Sequence, residues 1–293
     1  MYSLNNLPIG VFDSGIGGLN VLYKLLKTFK NENFVYFGDN LNAPYGNKSK
    51  EELLLLCKNA VNELLRYKVK AVVIACNTAS TNCLDLLKKE FPNLIIIGTF
   101  PTVINTKQTI LFATVNTAKS SFIKSKFNRC KIAPLKNLAK NIEEYFLLDF
   151  PIDLSEVKKQ SKIKYKNVIL GCTHYIYFKK EFKSIFGCRV YDGVNGVAKR
   201  LKNELKDCAN IAFNRTLYFI GSGASLNFLV FKRCFRVISG LKVVIIPKKI
   251  KKNWKNFIKV VASYQKVCYY IVINVKGGLK YVVVWRIWPS SWC

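Results

Sequence analysis

At 293 residues and half hydrophobic, the chain has too much apolar material for a disordered polypeptide, and none of its apolar runs nears the roughly 20 residues of a membrane span. A net charge of +30 invites a nucleic-acid partner, but 39 of the 47 basic residues are Lys, alongside abundant Asn, Ile, Phe and Tyr; A/T-rich codons produce that composition, and Arg, the residue for bidentate phosphate and base contacts, is scarce. Ten cysteines without a Cys-x-x-Cys pair, behind an amino terminus with no secretory signal, point to reduced thiols in a soluble cytoplasmic protein, not to a disulfide scaffold or a metal site.

Ile9–Phe12 reads as a buried strand, Leu19–Phe29 as a helix and Phe34–Phe37 as a second strand. Ser49–Tyr67 follows with helical spacing at Leu53, Leu56, Cys57, Ala60, Val61 and Leu64. Ala71–Ala75 (strand), Thr81–Lys89 (helix) and Leu94–Ile97 (strand) continue an alternation that predicts a parallel sheet covered by helices. The pattern restarts with a strand at Thr109–Ala113, helices at Ser120–Lys126 and Leu138–Phe146, and a strand at Val168–Leu170.

Two segments echo each other: Val-Val-Ile-Ala-Cys76-Asn-Thr and Val-Ile-Leu-Gly-Cys172-Thr-His both put a cysteine just after a buried strand. Ile9–Phe12 with Asp13-Ser14-Gly15 has a weaker counterpart in Ile110–Ala113 with Thr114. The expected architecture is therefore α/β, with two similar lobes. Residues 1–98 form the first lobe, completed by about 191–235, and residues 99–190 form the second. Residues 236–293 form a basic extension with 12 basic side chains and no acidic one. Within it, Tyr269–Val275 and Tyr281–Ile287 flank Lys276-Gly277-Gly278 as a β-hairpin.

Ligands of open α/β sheets bind at the carboxyl ends of the strands. The loops expected there are Asp13–Gly18, Gly38–Gly46, Cys76–Ser80 and Cys172–Tyr175, with Thr114–Thr117 as a fifth. If the lobes face each other, Cys76 and Cys172 approach one ligand from opposite sides. Inversion at a carbon requires such a pair, one group taking a proton from one face while the other delivers a proton to the opposite face. Asp13 is placed to assist Cys76, and His174, the only histidine, to assist Cys172. Taken singly, each feature also has a plainer reading. Asp13–Gly18 suits a tight turn with a helix cap, and it fails as a dinucleotide fingerprint because Asn20 stands where the last glycine belongs. Pro44-Tyr45-Gly46 suits an ordinary turn, and Cys172 with His174 suits a core pair or a Cys–His hydrolase.

The segments IGVFDSGIGGLNVL (9–22), FVYFGDNLNAPYGNKS (34–49), VVIACNTAS (72–80) and VILGCTHY (168–175) resemble, in order, those of glutamate racemases in the aspartate/glutamate racemase superfamily. Looser similarity runs through 109–120 and 216–225, so that the resemblance covers roughly residues 8–235. It implies two doubly wound parallel-sheet lobes with the site in the cleft between them. It also implies interconversion of L- and D-glutamate without pyridoxal phosphate or another cofactor, supplying D-glutamate for peptidoglycan, in a chain that is often a homodimer. Cys76 would take the proton from D-glutamate with Asp13 assisting, and Cys172 from L-glutamate with His174 assisting. Asp13, Ser14, Tyr45, Gly46, Asn77, Thr78, Thr173 and His174 match substrate-binding positions, with Thr114 and Thr117 matching more loosely. Ile176 departs from the family's proline, the stretch between Thr117 and Val168 is short and Lys-rich, and the tail from Arg236 has no counterpart. Racemisation of another amino acid such as aspartate, and a catalytically silent basic binding module, are the alternatives.

Overall fold

Short apolar runs, most of them rich in β-branched and aromatic residues, become the strands of two largely parallel sheets. The computed structural model describes residues 7–205, 215–236 and 238–247, together with the strands Tyr269–Asn274 and Lys280–Arg286. In the first lobe β1 (Ile9–Asp13), β2 (Phe34–Gly38), β3 (Ala71–Ile74) and β4 (Ile95–Gly98) alternate with α1 (Leu19–Thr28), α2 (Lys50–Leu65) and α3 (Asn77–Glu90). The second lobe runs through β5 (Thr109–Ala113), α4 (Val115–Lys119), α5 (Ser121–Lys126), β6 (Lys131–Pro134), α6 (Leu138–Leu148), α7 (Ser155–Gln160), β7 (Asn167–Gly171), α8 (Lys179–Phe186) and β8 (Arg189–Tyr191). The chain then returns through α9 (Val194–Leu205), β9 (Arg215–Gly221), α10 (Ala224–Cys234) and β10 (Leu241–Pro247), followed by β11 (Tyr269–Asn274) and β12 (Lys280–Arg286).

The first sheet has the order β11-β12-β10-β9-β2-β1-β3-β4 and the second the order β6-β5-β7-β8. Within each lobe the strands therefore lie in the order second, first, third, fourth. β1 corresponds to β5 and β3 to β7, so Thr114 stands near the place of Asp13, and Cys172 takes that of Cys76. Pairing is parallel throughout, except where β12 runs antiparallel to both β10 and β11. The β11–β12 pair joins the two expected strands of a hairpin; its Lys276-Gly277-Gly278 turn lies outside the described residues. β10 falls in the stretch expected to be a basic extension, yet Leu241, Val243, Val244 and Ile245 are buried and the strand pairs in parallel with β9. The first sheet thus extends past residue 235.

Helix α2 shows how sequence becomes packing. Ser49 caps it by accepting from the Glu52 N–H at 3.1 Å, a cap worth about 1 kcal/mol, and Leu53, Cys57, Ala60, Val61 and Leu64 form its buried stripe. Each fully buried Leu or Val contributes roughly 1.5–3 kcal/mol. α3 begins four residues earlier than the spacing of its apolar residues suggests, so the expected loop Cys76–Ser80 is the helix cap and first turn. Small hydroxyl residues make this possible by bonding to nearby backbone: Ser80 donates to Ile74 O and Cys76 O, and Thr81 donates to Asn77 O. One hydrophobic cluster runs from Ile9, Leu22 and Phe219 in the first lobe to Phe112, Leu170 and Phe182 in the second, tying the lobes together. Among the described residues no helix is long and apolar enough to cross a membrane.

Candidate active site

The carboxyl ends of β1, β3, β5 and β7 converge between the lobes. Asp13 ends β1 and is fully buried. Its Oδ1 accepts from the Gly15 N–H at 3.0 Å and from the Ser14 hydroxyl at 3.5 Å. Its Oδ2 accepts across the cleft from Thr173 Oγ1 at 3.2 Å. Burial pushes its carboxyl above the usual range, while the His174 charge and the donated hydrogen bonds draw it back.

Cys76 caps α3 at 6% exposure. Burial, then the Asp13 charge, raise its thiol well above the ordinary value; the Ala79 N–H of the helix's first turn and the Ser14 hydroxyl, 3.9 Å away, favour the thiolate. Charge on Cys172 raises it as well. Cys172 follows β7, also 6% exposed, with its Sγ 3.8 Å from His174 Nδ1.

Behind His174 stands a carboxylate the sequence reading passed over. Glu143, on α6, holds His174 Nε2 at 2.7 Å and accepts from the Ile16 N–H at 2.8 Å, both through Oε1, while Oε2 accepts from Asn40 Nδ2 at 3.3 Å. An ionised carboxylate only accepts, so Nε2 carries a proton and Nδ1 is turned towards the Cys172 sulfur. Burial alone would lower His174, but its contacts with Cys172 and Glu143 outweigh burial and hold the imidazole well above its usual value. One signal for Glu143 was legible: it lies on the buried face of α6 with Leu138, Ala139 and Ile142, a position that normally excludes a carboxylate.

The other expected residues gather as follows. Thr78 Oγ1 lies 2.9 Å from Thr114 Oγ1 and 3.1 Å from Thr117 Oγ1, and Thr114 and Thr117 are 3.0 Å apart. This triangle joins the two lobes, and the more loosely matched Thr114 and Thr117 are part of it. Gly46 packs against Thr114, where an added Cβ would come within 2.7 Å of the threonine Cβ. Tyr45 is turned away from that cluster, its hydroxyl donating to Asp39 Oδ2 at 2.7 Å. Asn77 donates one amide hydrogen to Thr99 O at 3.2 Å. Ile176 sits in the short 3-10 turn His174–Phe178 that follows Cys172. Among the described residues, no group of three or more His, Cys, Asp and Glu is gathered to hold a metal.

The chain is 38% identical over 221 residues to a glutamate racemase of Clostridium botulinum, covering 69% of this chain and 85% of that relative. It is 36% identical over 232 residues to glutamate racemase 2 of Bacillus subtilis, with 69% and 83% covered. Among solved structures, the glutamate racemase isoform RacE1 of Bacillus anthracis superposes with a TM-score of 0.68 at 26% identity, covering 78% of this chain and 94% of that one. The Francisella tularensis glutamate racemase in complex with D-glutamate gives 0.65 at 25% identity, with 84% and 98% covered. No protein-family model matches the chain.

Proposed function

The chain belongs to the glutamate racemase family, amino-acid isomerases that interconvert L- and D-glutamate, and from that premise we propose that Cys76 and Cys172 are the two opposed acid–base groups. The observation that carries this reading is their equivalence: each follows the third strand of its lobe, and each has its own assisting group, Asp13 with Ser14 for Cys76 and His174 with Glu143 for Cys172.

Starting from L-glutamate, the Cys172 thiolate takes the Cα proton, and the electron pair left on carbon is delocalised into the substrate carboxylate. The Cys76 thiol then delivers its proton to the opposite face, leaving a Cys76 thiolate and D-glutamate. The reverse reaction exchanges the two roles. His174 stabilises the Cys172 thiolate as an imidazolium supported by Glu143. Asp13 raises Cys76 and so keeps it a proton donor at rest. The hydroxyls of Thr78, Thr114, Thr117 and Thr173, the Asn77 amide, Ser14 and the Tyr45–Gly46 backbone supply donors for the two substrate carboxylates. Both proton transfers are thereby assigned to side chains of this chain, and no step calls for pyridoxal phosphate.

We assign residues 1–98, with the chain after about 191, to one substrate-binding lobe and 99–190 to the other. The D-glutamate formed is taken to feed peptidoglycan synthesis in the cytoplasm, and the working assembly is taken to be a homodimer, which light scattering checks. The test of the mechanism is racemisation of both enantiomers without added pyridoxal phosphate, with solvent deuterium entering Cα. Cys76→Ala and Cys172→Ala each abolish racemisation; retained turnover in both variants overturns the two-thiol reading.

A further inference from the structure

Glu143 is itself held by a chain of amides that runs through Asn40 to Asn227 on α10. We propose that Asn40 and Asn227 are positioning residues for catalysis: they form a one-directional hydrogen-bond relay that fixes the Glu143 carboxylate against His174 and so sets the Cys172 thiolate. The inference rests on the assignment of Cys172 as one of the two acid–base groups.

The direction of the relay follows from chemistry. Asn227 Nδ2 donates to Asn40 Oδ1 at 2.9 Å, and Asn40 Nδ2 donates to Glu143 Oε2 at 3.3 Å. Because a carboxylate can only accept, Asn40 must turn its amino group towards Glu143. Its carbonyl then faces Asn227, which must in turn present its own amino group. Each link fixes the orientation of the next, and the sequence ends at the Glu143–His174 contact of 2.7 Å and the His174–Cys172 contact of 3.8 Å.

Two further observations separate this from incidental packing. The amide pair occupies a slot lined by two glycines: a Cβ on Gly38 would collide with Asn227 Nδ2, and one on Gly223 would collide with Asn40 Oδ1. Asn227 is fully buried on α10 and, among the described residues, its Oδ1 has no hydrogen-bond partner. A side chain present only to fill space would be better served by Leu, which leaves no buried carbonyl unsatisfied. The retained feature is the donor, and its acceptor is the relay.

The test compares Asn227→Leu, Asn227→Ala and Asn40→Ala with the unaltered full chain. Thermal unfolding confirms folding, and kcat, KM and the pH profile are measured with both enantiomers. Both Asn227 variants are expected to lower kcat about three- to tenfold, with KM within twofold and the acidic limb of the profile moved to higher pH. The primary isotope effect with L-[2-2H]glutamate should rise while that with D-[2-2H]glutamate does not, because Cys172 is weakened as a base and Cys76 is not. Should Asn227→Leu fold poorly, Asn227→Ala and Asn40→Ala carry the same readouts. A packing role predicts that Leu preserves kcat and pH profile where Ala loses them; that result, or equal changes in both isotope effects, overturns the relay. Cys172→Ala separates the two ideas. If it still racemises, the underlying assignment fails; if it is dead while the asparagine variants keep the original profile, only the relay fails.

Discussion

Glu143→Gln isolates what a single charge contributes behind Cys172. The substitution preserves shape, but the amide must put an amino group where one carboxylate oxygen stood. If that group replaces Oε2 it meets Asn40 Nδ2, and if it replaces Oε1 it meets both the Ile16 N–H and the protonated His174 Nε2. Either way donor opposes donor, and the charge supporting the imidazolium is gone. A hydrogen bond to a charged group contributes about 1.5–3 kcal/mol, which corresponds to roughly a ten- to 150-fold loss in rate constant. Contacts with Glu143 and Cys172 are what hold His174 up, so in the variant the imidazole falls, the thiolate–imidazolium pair reverts to thiol and imidazole, and the acidic limb of activity moves to higher pH. The loss in kcat/KM is equal in both directions, as an equilibrium constant of one between enantiomers requires; the side of the site affected shows instead in a larger isotope effect from deuterated L-glutamate. Stopped assays by circular dichroism over a pH series, with unfolding midpoints as a folding control, measure all of this. A Glu143→Gln variant with kcat within twofold and an unmoved limb would refute the reasoning.

Substitutions at three further places test other parts of the structure. Asp13→Asn is expected to raise stability while lowering activity: because burial raises the Asp13 carboxyl in the folded state, folding is penalised increasingly as pH rises from about 4. The stability gain should be absent below that pH and full above the folded-state value, read as an unfolding midpoint about 2–4 °C higher per kcal/mol relieved. Gly15→Ala places a methyl into the Glu143 carboxylate and should reproduce the Glu143→Gln phenotype in kcat and pH profile; unchanged kinetics would show that the carboxylate can retreat without consequence. Lys70 and Glu32 form a buried pair at 2.9 Å, their side chains 2% and 3% exposed, so Lys70→Met should cost about 3–5 kcal/mol in urea unfolding by removing the cation that faces the buried Glu32. The double change Lys70→Met with Glu32→Leu should recover most of that loss, and a single variant as stable as the parent would contradict it.

The strands were legible because their signal is local. Ile9–Phe12, Ala71–Ala75 and Thr109–Ala113 are short buried runs followed at once by Asp13, Cys76 and Thr114, and they lie within a residue of β1, β3 and β5. The matching positions of Cys76 and Cys172, each just after a buried strand, were legible as a repeat, and the common strand order of the two lobes gives the physical basis of that likeness. The first turn of α3 was not, because Asn77, Thr78 and Ser80 have no apolar periodicity and are drawn into the helix by side chain to backbone bonds and by packing against the other lobe. β6 and β8 carry too few buried residues to register as strands: Lys131, Pro134 and Arg189 are exposed. Glu143, Asn40 and Asn227 are far apart in the chain and join only through the tertiary structure. No window of sequence contains their relation.

The threonine triangle is reinforced nearby by Asn116, whose amide donates to Tyr45 O at 3.2 Å and to Lys48 O at 2.8 Å, stitching α4 of the second lobe to the turn that carries Tyr45 and Gly46. Cys76 and Cys172 are each only 6% exposed. If glutamate reaches them by way of this seam, the frequency at which the seam parts is a ceiling on turnover, and no improvement in the basicity of either thiol can lift it.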